Sequence, residues 1–380
     1  MFFSFILLKK SFIFLSKKIE PNKKFYSKDM TLWKELNKRN KNKDFCNIKI
    51  EQRSRVNKVE KKILICLPPK FGLGDAVEYS IAIKSLIESK KFEKLGVAFC
   101  DKYTNIFRDL FLLSDIYPLI ISSKEIKQYD NIFHITLEIE ALKLQKYKRS
   151  NIAYEICKFF GVAVFDFKIT NDNKKHINDT KTLTIFPVST STIRSLDYNV
   201  IKEIIDNFIN FYKIKIILDD SIFSLNLEKR IKVSNVQLLK PTNLESLICE
   251  ISKIEFGIFI DSGPLHLAKI YNKRGVLIET SVHSNILLYN SKNIYPVPNT
   301  YSSEFCSGPC GLVDIFSVEC KVGCYETNKF TFKKIKKVKN LKNLQRWNKK
   351  DINSHFLLNP VGCIKNINIK KTLELIKAKV

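Results

Sequence analysis

Residues 256 to 271, FGIFIDSGPLHLAKIY, constrain the fold more than any other stretch, because an apolar run ends abruptly at Asp261-Ser262-Gly263-Pro264 and resumes with helical spacing. Phe256, Ile258, Phe259 and Ile260 make a short β-prone run of the kind buried in a parallel sheet. Pro264 suits a first helical turn, where its missing N–H would have no partner anyway. The stretch therefore predicts a strand, a tight turn and a helix. The N–H groups of Ser262, Gly263 and Leu265 would point out of the sheet's carboxyl edge. A helix start draws anions, and Gly263 lets a phosphate approach without meeting a side chain. A pyrophosphate fits such a turn. Asp261 and Ser262 equally suit capping of the helix, and His266 suits a hydrogen-bonded place in its first turns.

A second strand-turn-helix pattern opens the ordered part of the chain. KILICL at 62–67 is followed by PPKFGLGD and then by the amphipathic AVEYSIAIKSLIESK. Gly72 and Gly74 have no third glycine at the dinucleotide spacing, which disfavours a cofactor of the NAD type. The turn Gly72-Leu73-Gly74 still lets the backbone pass close to a ligand, and it places the carboxylate of Asp75 at the mouth of the helix, where helix capping is its other role. Strands are expected at Gly96–Cys100, Tyr117–Ile121 and Asn131–Ile135, with a helical segment at Thr104–Leu113 and a helix at Tyr154–Phe160 ending at Gly161. The polar stretch Asn171–Lys181 reads as a linker.

A second α/β unit starts at Thr182–Phe186 and passes through Ser189-Thr190-Ser191-Thr192 to Arg194 before a helix at Tyr198–Phe211. Hydroxyls and a cation thus gather after a strand, the composition of a phosphate-binding loop and also of an ordinary polar turn. Further strands are expected at Lys213–Asp220, Val236–Leu239 and Gly275–Glu279. Asp219 or Asp220, just past a strand, could take ribose hydroxyls or simply form a turn. Cys306, Cys310, Cys320 and Cys324 follow as C-x3-C-x9-C-x3-C. Four thiolates at this spacing could hold a structural zinc or form redox pairs, and free thiols in a loop are the third reading.

The formal charge of +27 is uneven. Residues 1–62 hold 18 Lys/Arg against 6 Asp/Glu, residues 325–380 hold 15 against 3, and the middle is close to neutral at 32 against 29. Basic ends suit phosphate-rich partners or an anionic membrane surface, and a Lys/Asn/Ile-rich chain also follows from an AT-rich genome. The near-neutral centre, without nucleic-acid-binding signatures, argues against nucleic acid. Ten cysteines scattered over 380 residues lack the density of a secreted disulfide scaffold, so a reducing cytoplasm is expected. No apolar run reaches the roughly 18 to 20 residues of a membrane-spanning helix. MFFSFILLKKSFIFLS at the start makes a poor signal peptide; Met30 is an alternative translation start, and residues 17–60 read as a flexible lead-in.

The string D-S-G-P-L-H-L-A at 261–268, together with the strand, glycine loop and Gly-Asp at 74–75, resembles glycosyltransferase family 9, the lipopolysaccharide heptosyltransferases. The resemblance covers roughly residues 62 to 324. It implies an α/β fold of the GT-B type, with two Rossmann-like domains facing across a cleft. The chain then divides into a basic lead-in (1–61), an amino-terminal acceptor domain (62–175), a carboxyl-terminal nucleotide-sugar domain (180–300) and a Cys-containing, Lys-rich segment (301–380) packing back toward the amino-terminal domain.

Carried over by position, the resemblance makes Asp75 the catalytic base, with Gly72, Leu73 and Gly74 on the acceptor side. Ser189, Thr190, Ser191, Arg194, Asp220, Asp261, Ser262, Gly263 and His266 become donor-binding residues. Relatives follow the basic residue with a Trp-Pro pair, where this chain has Ser195-Leu196. The implied reaction is an inverting transfer, heptose from ADP-heptose by family default, to a lipopolysaccharide-type, lipid-linked or other glycan acceptor. It would need no cofactor and no metal, and would take place in the cytoplasm at the inner leaflet of the cytoplasmic membrane. A nucleotide-sugar epimerase of the same fold, a basic binding module and a catalytically dead scaffold are the alternatives.

Overall fold

The computed structural model describes residues 2–7, 12–14, 17–19, 24–27, 45–51, 61–68, 71–99, 101–118, 121, 123–135, 151–169, 181–304, 306–311, 324, 326 and 356–380. They fall into two compact units that divide between Phe167 and Lys168. In the lead-in, where apolar periodicity is weak, phenylalanine and isoleucine supply β propensity instead. Strands β1 (Phe2–Leu7), β2 (Phe12–Phe14), β3 (Lys17–Ile19), β4 (Lys24–Ser27) and β5 (Phe45–Glu51) form there. β1 pairs antiparallel with β4 and β5, and β2 with β3.

The main sheet of the first unit is parallel. β6 (Lys62–Cys66), β7 (Lys94–Phe99), β8 (Ile116–Pro118) and β9 (Asn131–His134) run in the order β8-β7-β6-β9. Ile63 to Leu67 are all buried, as expected of a strand covered on both faces. Helix α1 (Leu73–Glu88) turns Ala76, Tyr79, Ile83 and Leu86 into the core at the three-to-four-residue spacing of one helical face. Helix α2 (Ile152–Phe160) begins at Asn151, whose Oδ1 accepts the Tyr154 N–H at 3.1 Å. It stops at Gly161, whose φ of 65° is the left-handed cap that favours glycine. Asn151 Nδ2 donates to the buried Glu78 carboxylate at 2.8 Å and so ties α2 to α1. The helical segment expected at Thr104–Leu113 forms as a 3-10 turn at Asp101–Tyr103 that leads into a π-helical turn at Ile106–Leu110. There Phe107 packs against the rings of Phe71 and Phe99.

The second unit holds six parallel strands: β10 (Thr182–Ile185), β11 (Lys213–Ile217), β12 (Val236–Leu239), β13 (Phe256–Phe259), β14 (Gly275–Ile278) and β15 (Ile294–Val297). Their order is β12-β11-β10-β13-β14-β15. Counted along the unit this is 3-2-1-4-5-6, the doubly wound arrangement, whose direction of winding switches between β10 and β13. The first unit's sheet repeats the first four places, 3-2-1-4, with its switch between β6 and β9.

Leu183, Ile185, Ile214, Ile216, Ile258, Val276 and Ile278 form the centre of the second core. Helix α3 (Tyr198–Phe208) covers it with Val200, Ile201, Ile204, Ile205 and Phe208. Helices α4 (Ile222–Arg230), α5 (Leu244–Ser252), α6 (Gly263–Ile270), α7 (Ser284–Leu287) and α8 (Ile369–Lys379) complete the unit. Gly257 and Gly275 face one another across β13 and β14; a Cβ on Gly275 would lie 2.2 Å from the Gly257 carbonyl oxygen. The Phe259 ring fills the space that a Cβ on Gly257 would need, and it stacks on Phe186 with centroids 5.3 Å apart. Helix α8, in the segment expected to run toward the amino-terminal domain, packs against α3, β14 and β15 of its own unit. Ile169 N–H donates to the Ile270 carbonyl at 2.8 Å, so the second unit begins ahead of the linker read at Asn171–Lys181, most of which lies outside the described residues.

Candidate active site

On the first unit, the switch between β6 and β9 is followed by the turn into α1. Leu73 and Gly74 lie in the first turn of that helix, so Asp75 sits inside the helix and not just ahead of it. Its Oδ2 accepts the Gly72 N–H at 2.8 Å, which satisfies one of the backbone donors that a helix start leaves free. The carboxylate remains partly exposed. Asp75 therefore serves as an N-terminal cap through one oxygen and keeps a face open to solvent. Across the switch, Cys66 is opposite the buried His134 at the end of β9.

On the second unit, the loops leaving β10 and β13 meet at the switch point, where doubly wound sheets bind their ligands. Arg194 ends a 3-10 turn at Thr192–Arg194 and points its guanidinium at Asp261. Arg194 Nη1 is 3.2 Å from Asp261 Oδ2 and 3.4 Å from the Asp261 carbonyl, while Nη2 donates to Thr190 Oγ1 at 2.8 Å. Ser189 Oγ donates to the Asp261 carbonyl at 2.9 Å. Ser195 Oγ accepts the Ser189 N–H at 3.0 Å and donates to the Ser191 carbonyl at 2.9 Å, while Leu196 is fully buried. The Ser195-Leu196 pair thus clamps the loop from below. Ser189, Thr190, Arg194 and Asp261 converge as one cluster, with Ser191 buried beside it.

Ser262 occupies the capping position of α6, yet its side chain makes no cap; its Oγ turns back to the Ile260 carbonyl at 3.4 Å. Gly263 opens the helix and His266 is buried in it. Asp220 is exposed on the loop after β11, and its neighbour Asp219 forms the local turn, accepting the Ser224 hydroxyl at 2.6 Å and the Ser221 N–H at 3.0 Å. The loop after β14 adds residues that sequence reading passed over, among them the buried Glu279, Thr280 and Ser281. Their position directly after an apolar run was the available signal.

The cysteine segment folds onto the same region. Strands β16 (Ser302–Ser303) and β17 (Cys306–Ser307) form a short hairpin, and the Gly311 N–H donates to the Ser281 carbonyl at 2.6 Å. Cys324 packs with Phe356 against Ile193 of the Arg194 loop. Cys320 lies outside the described residues, and Cys363 was not part of the expected set. A Cβ on Gly308 would lie 2.5 Å from Cys363 Sγ. Burial, then the thiols of Cys310 and Cys324, push the Cys306 thiol up to about 11. Burial, then Cys310, Cys306 and Cys324, push Cys363 up to about 12. Among the described residues no three His, Cys, Asp or Glu side chains are grouped so as to hold a metal ion.

No protein-family model matches the chain, and no curated protein does. Solved structures do. The dodecameric iron-containing heptosyltransferase TibC, in complex with ADP-D-beta-D-heptose, superposes with a TM-score of 0.51 at 11% identity, covering 100% of this chain and 91% of TibC. The fold is that of a GT-B glycosyltransferase. A glycosyl transferase of family 9 from Veillonella parvula is also similar, with a TM-score of 0.49 at 12% identity over 83% of this chain and 98% of that one. So is E. coli heptosyltransferase WaaC with ADP, with a TM-score of 0.46 at 10% identity over 62% and 93%. Within the GT-B fold, the Asp75 turn lies on the first α/β unit and the Arg194–Asp261 cluster on the second.

Proposed function

We propose that the chain is a glycosyltransferase of family 9 that moves a sugar from a nucleotide sugar to a hydroxyl acceptor with inversion. The observation that carries this reading is the convergence of Ser189, Thr190, Arg194 and Asp261 beside the helix start at Gly263, which carries no side-chain cap and where the Leu265 N–H turns back to the Ser262 carbonyl at 3.2 Å, at the switch point of a doubly wound sheet. A guanidinium, hydroxyls and backbone N–H groups suit a diphosphate, and a carboxylate suits sugar hydroxyls. Arg194 Nε is buried with no partner among the described residues.

In the proposed step, the Asp75 carboxylate takes the proton of the acceptor hydroxyl as its oxygen bonds to the anomeric carbon. The bond from that carbon to the diphosphate oxygen breaks, and a nucleoside diphosphate leaves with the electron pair. Arg194 and the helix start of α6 meet the charge that develops on it. The donor is expected to be ADP-heptose and the acceptor a lipopolysaccharide-type or other lipid-linked glycan. The ADP-D-beta-D-heptose bound by TibC supports this choice of donor for the screen.

Attachment to an anionic inner leaflet through the basic ends belongs to the same proposal, each Lys or Arg near such a surface contributing on the order of 1 kcal/mol. Lys333–Lys342 and most of the lead-in lie outside the described residues. Among the described residues no helix is long and apolar enough to cross a membrane. A thermal-shift screen of nucleotide sugars tests the central reading, because a bound donor raises the melting temperature according to its affinity and concentration. A rise with ADP-heptose is expected; no rise with any nucleotide sugar would refute it.

A further inference from the structure

The loop after β14 shares the carboxyl edge with the Ser189–Arg194 and Asp261–Gly263 loops, because β14 is the parallel neighbour of β13, with Phe259 opposite Leu277. Its first residue, Glu279, is a carboxylate only 1% exposed. Oε1 accepts the Ser284 N–H at 2.7 Å and lies 3.2 Å from His283 Nδ1, and Oε2 accepts the Asn299 N–H at 3.1 Å. Asn299 Nδ2 in turn donates to the carbonyls of Glu279, at 3.2 Å, and Cys363, at 2.7 Å. The carboxylate is thus fixed from several directions, while the imidazole that it holds keeps half of its surface exposed.

A carboxylate on Nδ1 holds the proton on that nitrogen, and in the neutral ring Nε2 is then an acceptor. Thr280 Oγ1 and Ser281 Oγ, on the same loop, are buried without a partner among the described residues. So are Ser191 Oγ and Arg194 Nε on the loop after β10. Unpaired buried polar atoms are costly, and these four lie on the two loops that flank Asp261. This edge is shaped by more than its own packing.

We propose that Glu279 and His283 form a hydroxyl-binding pair of the donor subsite. His283 Nε2 accepts a hydrogen bond from a hydroxyl of the nucleotide sugar, on the ribose or on the transferred sugar, and Glu279 is the positioning residue that sets the ring's tautomer and orientation. The assignment rests on the nucleotide-sugar reading above. A hydroxyl is the fitting partner because it supplies the proton that an accepting Nε2 needs, which a phosphate oxygen does not carry.

Calorimetric titration of the full chain and of His283→Ala with inorganic diphosphate, ADP and ADP-heptose tests the pair. Because His283 is half exposed, the variant is expected to keep its melting temperature and its affinity for diphosphate. A loss of about two- to tenfold on both ADP and ADP-heptose would assign the ribose; the same loss on ADP-heptose alone would assign the transferred sugar. His283→Gln, which can still accept a hydrogen bond, should recover part of the loss. Equal affinities of wild type and His283→Ala for all three probes, or an equal loss on all three, would overturn the pair and leave the nucleotide-sugar reading standing. A wild-type chain that binds none of the three, and no other nucleotide sugar, would overturn both.

Discussion

The two α/β units carry the same 3-2-1-4 strand order at their switch points but furnish them differently. The first offers the carboxylate of Asp75, partly exposed and held, among the described residues, by the Gly72 N–H. The second offers a cross-linked group in which Arg194, Thr190, Ser189 and Asp261 hold each other through hydrogen bonds, with Ser195 clamping the loop from beneath. The difference follows from what each must do under the proposed reaction. A proton acceptor has to stay reachable and mobile enough to meet a hydroxyl, whereas groups that bind a charged ligand gain by being held in place before it arrives.

The largest effect should come from the sparse side. Asp75→Asn keeps the volume and can still accept the Gly72 N–H, so the fold and donor affinity should hold while turnover falls by about 10²- to 10⁴-fold. Steady-state rates beside calorimetric titration would show this, and turnover within threefold of wild type would end the contrast. Arg194→Ala acts on the dense side. Donor affinity should drop by about ten- to a hundredfold, and stability in urea by about 3–5 kcal/mol, since Asp261 is left buried and uncompensated. Arg194→Lys should fall between the two, because it keeps the charge and loses the fork.

A smaller effect concerns buried thiols in both units. Burial pushes Cys157 of the first unit up to about 11, and Cys306 and Cys363 of the second to about 11 and 12, from an ordinary 9.0. A raised folded pKa means that these groups contribute their full stability below pH 9 and lose it as pH rises through 11 to 12. The melting temperature should therefore decline over that window, and Cys363→Ala should blunt the decline. A profile flat to pH 12 would show that the thiols are not protected. The smallest effect is expected from chelation. Transfer should survive EDTA because Arg194 and the helix start are assigned the leaving group's charge, and loss of transfer restored by added metal would move that role elsewhere.

Much of the fold was legible in local pattern. The β-prone runs at 62–66, 182–185, 236–239 and 256–259 became strands because buried parallel strands need uninterrupted apolar residues. The proline and glycine at 263–264 marked the start of α6 for reasons of backbone chemistry alone. What local pattern could not give were contacts between distant positions. Arg194 reads as a lone cation in a polar loop until Asp261, 67 positions later, is brought beside it by strand order. Glu279 reads as the end of a strand, and only its burial among Ser284, Asn299 and His283 gives it a purpose. Cys363 could not be grouped with Cys306 and Cys310 from spacing, because the packing around Gly308 sets that neighbourhood. Leu73-Gly74 reads as loop yet belongs to the first turn of α1, because a first turn tolerates glycine where its N–H needs no helical partner.

Helix α8 has a consequence for how the protein is made. Ile376 is fully buried in the same cluster as Leu183 and Ile185 of the first strand of its unit, and Arg274 donates to the Lys379 carbonyl at 2.7 Å. The second unit therefore cannot close its core until residues 369–379 have left the ribosome. At about 5–20 residues per second, the six-stranded sheet waits on the order of ten seconds or more after its first strand emerges, with apolar surface exposed to chaperones and neighbours. The first unit, whose main sheet and helices are complete by residue 167, has no such wait and can serve as the folded partner already present when the second begins.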